Sequence, residues 1–168
     1  MNGGFMNAVQ RRVLRFETVA EAIAEAEQLV RAEQAGRLRS AGTWSLGKTL
    51  GHLATWARYA HEGYPPALRP PWVVRVILRM MKGKIIREGL RPGVRLRGIP
   101  GGTTGLEEMS SQEGLDQFRA AMERLERERP PAENPVFGPM THAQWIGLNL
   151  RHAELHLGFL DPGSDSGV

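Results

Sequence analysis

The chain has 168 residues, of which 41% are hydrophobic and 24% charged; it carries a net charge of +4 and no cysteine. That balance describes an ordinary globular protein, expected as one domain over 1–168 with a core spanning about 18–161. Without cysteine, disulfides, thiolate-held zinc, iron–sulfur clusters and a cysteine nucleophile are excluded, so any metal must be held by histidines and carboxylates.

Residues 1–8 read as a leader with two glycines, and RRVLRF as an extended lead-in. Arg11-Arg12 is followed by Arg15, Glu17, Glu21 and Glu25, so no apolar export signal follows it. Thr18 and Glu21 form a capping box for a first helix, whose apolar positions are Val19, Ala22, Ile23, Ala26, Leu29 and Val30. Gly36 is its expected stop. Ser45 opens a second helix with a core stripe of Leu46, Leu50, Leu53, Ala57 and Ala60. Thr49, His52, Trp56 and Tyr59 form a second line beside that stripe, and Gly63 with Pro65-Pro66 ends the helix.

Pro70-Pro71 opens a shorter amphipathic segment. Trp72, Val73, Val76, Ile77, Met80 and Met81 share one face, while Arg75, Arg79 and Lys82 lie away from it. The apolar face is expected to pack on the core, with a lipid-surface helix as the alternative. Docking on lipid would leave Trp72 and both methionines exposed in the soluble form. Residues 83–109 are rich in Gly, Pro and Arg and show no periodicity; a connection this long often borders a site. The glycines match neither a phosphate loop nor a dinucleotide fingerprint. Nine basic residues lie between Arg69 and Arg97 against Glu88 alone. They read as a solvated basic face, or as a rim that attracts a small anion; with only Trp72 to stack on bases, no nucleic-acid partner is expected.

Ser110 and Glu113 form a second capping box, and Leu115, Phe118, Met122 and Leu125 the stripe of the next long helix. Glu123–Arg127 and Arg124–Glu128 are exposed i,i+4 pairs. Pro130-Pro131 ends that helix, and ENPVFGPM is a turn-rich link. Thr141 and Gln144 cap the last helix, with Asp161-Pro162-Gly163 as its stop and a polar tail beyond. The sum is all-α: a four-helix bundle with one extra short helix, a long Gly/Pro/Arg-rich crossover and no strand.

Five histidines remain to be placed. His61 falls on the opposite face of its helix from His52, and His142 in the first turn of the last helix; both read as surface or capping residues. His152 and His156 stand one turn apart beside Trp145, Leu148, Leu155 and Phe159. Imidazoles set in an apolar stripe need partners. His52, at the core edge of the second helix, is the credible third member. HAELH is not the zincin motif, because Glu154 stands two residues after the first histidine and faces away. Three neutral imidazoles without a fourth protein ligand describe an open metal site, suited to zinc or nickel and compatible with iron.

W-S-L-G-K-T-L-G-H-L-A (Trp44 to Ala54), N-P-V-F-G-P-M-T-H-A-Q-W (Asn134 to Trp145) and R-H-A-E-L-H-L-G-F-L (Arg151 to Leu160) resemble the DinB-like metal-binding four-helix superfamily. Within it the chain looks most like a bacterial subfamily described only as a domain of unknown function, and the likeness covers nearly the whole chain. The resemblance implies that His52, His152 and His156 bind a divalent metal. It also implies a low-molecular-weight thiol as co-substrate, since relatives include bacillithiol and glutathione transferases and the mycothiol-dependent maleylpyruvate isomerase. Metal coordination would supply the thiolate.

Two functions follow as expectations. One is a metal-dependent enzyme, a thiol transferase or hydrolase-like, acting on a small molecule, with Trp56, Trp145 and Asn149 lining its pocket. The other is a non-catalytic, metal-stabilised bundle serving as a sensor or dimerisation module, whose apolar helix faces allow a homodimer. No apolar run reaches membrane-spanning length, so a cytoplasmic location and no membrane partner are expected.

Overall fold

The computed structural model describes residues 10–93, 102–131 and 133–163. The leader, the tail beyond Gly163, and Arg95 and Arg97 lie outside the described residues. Among the described residues five α-helices follow one another: α1 Val19–Gln34, α2 Leu46–Glu62, α3 Trp72–Glu88, α4 Ser111–Arg127 and α5 His142–Leu157. The fold is all-α, with α1, α2, α4 and α5 packed on one another and α3 laid outside them against α5.

Hydroxyl side chains start the four bundle helices. Thr18, Ser45, Ser110 and Thr141 each accept from the backbone N–H three residues on, satisfying one of the orphan donors of the first turn. Only Thr141 and Gln144 complete a reciprocal capping box. Glu21 reaches back to Glu17 N at 2.7 Å, one residue before the expected cap, and Glu113 accepts from Gln117 at 3.4 Å. These side chains therefore stiffen the first turns without closing the expected boxes.

The expected stripes of α2 and α4 are buried throughout, and they meet at close range. A Cβ on Gly114 would lie 2.8 Å from Gly47 O, and one on Gly47 would lie 2.1 Å from Met109 O. Glycine at both positions is what lets α4 and its lead-in press onto α2. The i,i+4 pairs of α4 form as expected, Arg124–Glu128 at 3.0 Å and Glu123–Arg127 at 3.9 Å.

Expectations are corrected at three places in the fold. First, α3 is as long as its neighbours: it runs through Gly83 to Glu88, and Gly89 (φ +101°) ends it. Its apolar face also points outward, with Trp72 74% and Met80 82% exposed. The core side is held by Leu78, Ile85 and Ile86, and Lys82 Nζ donates to Pro139 O at 2.5 Å. Second, a short antiparallel ladder exists, β1 (Arg39–Ser40) with β2 (Leu160–Asp161). Third, α5 stops at Leu157, not at Asp161, because residues beyond it are claimed elsewhere. Gly158 O accepts from Arg12 N at 2.7 Å, and Leu160 and Asp161 pair with β1.

RRVLRF, which reads as an extended lead-in, belongs to no strand, and it is tied down. Phe16 is buried, and both of its backbone groups are bound by α5: Glu154 Oε1 accepts from Phe16 N at 2.6 Å, and Arg151 Nη2 donates to Phe16 O. Arg151 and Glu154 are themselves paired at 2.8 Å and buried. Glu154 therefore faces away from the histidines, as its spacing requires, and braces the entering chain.

Candidate metal centre

His52 stands on the flank of the α2 stripe and is 1% exposed. His152 and His156, on successive turns of α5, are half-buried at the border between the helix's core face and its outer side. The deepest residues of α5 are Trp145, Ala153 and Leu157, so the histidine stripe is an edge of the core rather than its centre. Packing of α2 against α5 brings the three rings together. Their candidate ligand atoms all lie within 4.8 Å of one another, with no cysteine or carboxylate among them.

The tautomer of His52 follows from its neighbours. Nδ1 lies 2.7 Å from Thr104 O, and a carbonyl only accepts, so Nδ1 carries the proton. In the neutral ring the lone pair is then on Nε2, which faces His152 Nε2 at 3.2 Å. Two imidazole nitrogens at that separation share either a proton or a cation. The edge of a tetrahedral zinc site with imidazole ligands is about 3.3 Å. A backbone carbonyl on the remote nitrogen is the usual partner that orients a metal-binding histidine.

Burial keeps the rings neutral. It pushes His52 down to about 4, against a smaller opposing contribution from the Thr104 hydrogen bond. Burial, then the neighbouring His52 and Arg11, push His156 down to about 3. Burial, then His156 and His52, hold His152 well below the ordinary histidine range. Neutral imidazole is the ligating form, so protons do not compete for these nitrogens near pH 7.

Aromatic rings wall the cluster. Trp44 stacks on His156 with centroids 5.3 Å apart and planes 6° apart, and it meets His52 edge-on at 5.1 Å. Trp56 stands 5.5 Å from His152 and 6.0 Å from His52, and its buried indole Nε1 has no hydrogen-bond partner. Beyond Trp56 come Tyr59 and Tyr64, and these open on a cavity of ≈ 320 Å³ that Trp145, Arg69 and Arg75 also line. A second hollow of ≈ 410 Å³ lies under the α4–α5 link, bordered by Pro130, Pro139 and Met140, and none of the three histidines lines it.

Of the expected pocket residues, Trp56 touches the histidines and Trp145 lines the neighbouring cavity, stacked on Tyr64 at 6.3 Å. Asn149 instead turns its amide to its own helix, donating to Trp145 O at 3.0 Å. His61 and His142 stay apart from the cluster; they bond to Glu128 O at 3.0 Å and Leu125 O at 2.6 Å, satisfying carbonyls at the end of α4. Thr104 belongs to no motif, and Trp44, which opens the W-S-L-G-K-T-L-G-H-L-A stretch, has no part at the site that its spacing announces. Trp44 is the residue just before the α2 cap, a position that often folds back on its helix. Thr104 sits in the glycine run that returns from the crossover. There Gly105 (φ +72°) passes so close to α2 that a Cβ would meet Thr55 Cβ at 2.8 Å.

No helix among the described residues is long and apolar enough to cross a membrane. No curated protein and no solved structure matches the chain. A family described as protein of unknown function (DUF1569) matches residues 8–163. With nearly its whole length matched, the chain belongs to the DUF1569 family of proteins of unknown function.

Proposed function

We propose that His52, His152 and His156 hold one divalent metal ion with an open coordination position, in a metal-dependent enzyme that transfers or hydrolyses a small substrate. The observation that carries this reading is the convergence of three neutral imidazoles from two helices, one buried and two half-buried, without a carboxylate among them. Such an all-nitrogen set suits zinc or nickel, with iron next. When bound, the ion acts as a Lewis acid that acidifies and orients a thiol or a water. The resemblance to the DinB-like superfamily favours the thiol.

The protein's own groups have definable parts. Thr104 O holds His52 with its Nε2 toward the centre. The rings of Trp44 and Trp56 exclude bulk water from the histidines. Trp56 Nε1 is a buried donor without a partner, a group suited to hold an acceptor atom of a bound substrate. Arg69 and Arg75 line the adjacent cavity and suit an anionic thiol or substrate. The domain extends over the whole chain, and the protein works in the cytoplasm.

Metal analysis of untagged protein is the test. Roughly one zinc, nickel or iron per chain is expected. His152→Ala should lose the metal and the thermal stabilisation that added Zn²⁺ gives the wild type. Metal-free protein that gains no stability from any of the three ions would refute the reading.

A further inference from the structure

Eight large hydrophobic side chains are strongly exposed among the described residues, and seven of them belong to α3: Trp72, Val73, Val74, Val76, Ile77, Met80 and Met81. At about 100° per residue, Trp72, Val73, Val76, Ile77 and Met80 fall on one face, opposite Leu78, Lys82 and Ile85. The inner side of α3 is thus already occupied, by α5 and by Pro139 O. The outer side is a continuous apolar strip, which a soluble monomer seldom presents without a partner.

Charge selects the partner. Between Arg69 and Arg91 there are seven basic residues and only Glu88, so this stretch exceeds the chain's whole net charge of +4 and the remainder is net acidic. Lys84 and Arg87 share the outer face in the last two turns and are exposed, while Arg75 turns to the cavity beside Tyr64 and the Arg79 guanidinium lies over Gly138. A second copy docked on the same strip would set two such basic stretches against each other. Nucleic acid would match the charge but leave the apolar strip uncovered. A surface that is apolar a few ångströms down and anionic at its rim matches both features, with Trp72 at the interface level and the basic side chains reaching up to headgroups.

We propose that the outer face of α3 docks this protein on the surface of an anionic lipid bilayer. The helix lies in the plane of the interface and does not cross it, in keeping with its length and charge. This inference is independent of the histidine cluster, because none of the residues on the strip lines it.

Flotation of the full-length protein with vesicles tests it. Vesicles of phosphatidylcholine and phosphatidylglycerol, about 2:1, should carry the protein up the gradient at low salt, and phosphatidylcholine alone should not. Met80→Asp should weaken the binding by more than ~10-fold, and Lys84→Gln or Arg87→Gln by ~5-fold each. All three positions are exposed, so circular dichroism and melting temperature should match the wild type. Failure of the folded wild type to float with the anionic vesicles would overturn the proposal. So would equal binding of wild type and Met80→Asp, which would mark a purely electrostatic surface open to nucleic acid. A dimer that dissociates on Met80→Asp, without vesicle binding, would assign the strip to a second copy instead.

Discussion

α5 and α3 lie against each other and break opposite rules. α5 buries an arginine and a glutamate, while α3 exposes a tryptophan, two methionines and three valines. In α5 the exception is explained locally. Arg151 and Glu154 pair at 2.8 Å and clasp the backbone of Phe16, so each charge faces its opposite and a segment that must be anchored, although Arg151 Nε and Nη1 stay without partners. Nothing within the described residues covers the outer strip of α3. A buried polar group is understood from its partners inside the fold; an exposed apolar strip can only be understood from what lies outside it.

Acid should separate the two helices most sharply. In metal-free, chelator-treated protein the folded-state values of His52, about 4, and His156, about 3, lie below the 6.5 of an unfolded histidine, and His152 is lowered too. Between those limits the native chain binds fewer protons than the unfolded one, so their stabilising contribution is complete above pH 6.5 and is lost as pH falls toward 4 and then 3. At pH 5 the neutral rings of His52 and His156 each cost about 2 kcal/mol relative to pH 7, and His152 adds in the same direction. Urea titrations at the two pH values should show a loss of several kcal/mol, removed by His52→Phe and His156→Phe in proportion and unchanged by Met80→Ala. A stability that is flat from pH 7 to 5 would mean that the rings are hydrated.

The charges buried in α5 come next. Glu154→Gln leaves Arg151 without its carboxylate and with Nε and Nη1 already unpartnered, and should cost about 3 kcal/mol. Arg87→Gln on α3 should cost no more than about 0.5 kcal/mol, because that side chain is exposed. Equal effects of the two substitutions would erase the contrast between the helices.

Much of this was legible in the sequence for a physical reason. In α2, Leu46, Leu50, Leu53, Ala57 and Ala60 repeat at helical spacing and are all buried, because that stripe meets α4 directly. The histidines were legible because a four-residue spacing fixes two of them on one side of α5, and His52 flanks the only other stripe with an imidazole on its border. Thr104 and Trp44 were not, since their parts depend on a returning loop and on the chain entering α2, neither of which has a period. The end of α3 was misread at Gly83, where a Cβ would meet nothing closer than Arg87 Nη1 at 3.5 Å. Glycine there is tolerated within the helix, and Ile85 and Ile86 still reach the core. The orientation of α3 could not be read from periodicity at all: it reports that one face is apolar, and not whether protein covers it.

The smallest effect expected is the most direct on that last point. Met80 and Ile86 lie on different sides of α3, with Met80 82% exposed and Ile86 packed against the core near Gly147, whose Cβ would meet Ile86 Cγ2 at 3.0 Å. With the strip outward, Met80→Ala changes stability by less than about 0.5 kcal/mol, whereas Ile86→Ala costs about 1 to 2 kcal/mol for the half-buried contacts it loses. With the strip packed inward, as periodicity alone suggests, Met80→Ala would be the costly change. The ratio of the two losses in urea denaturation reads the orientation of α3 without any ligand, metal or membrane present. It also fixes what a vesicle experiment means, because a strip that is outward in the free protein is available for docking before any lipid is encountered.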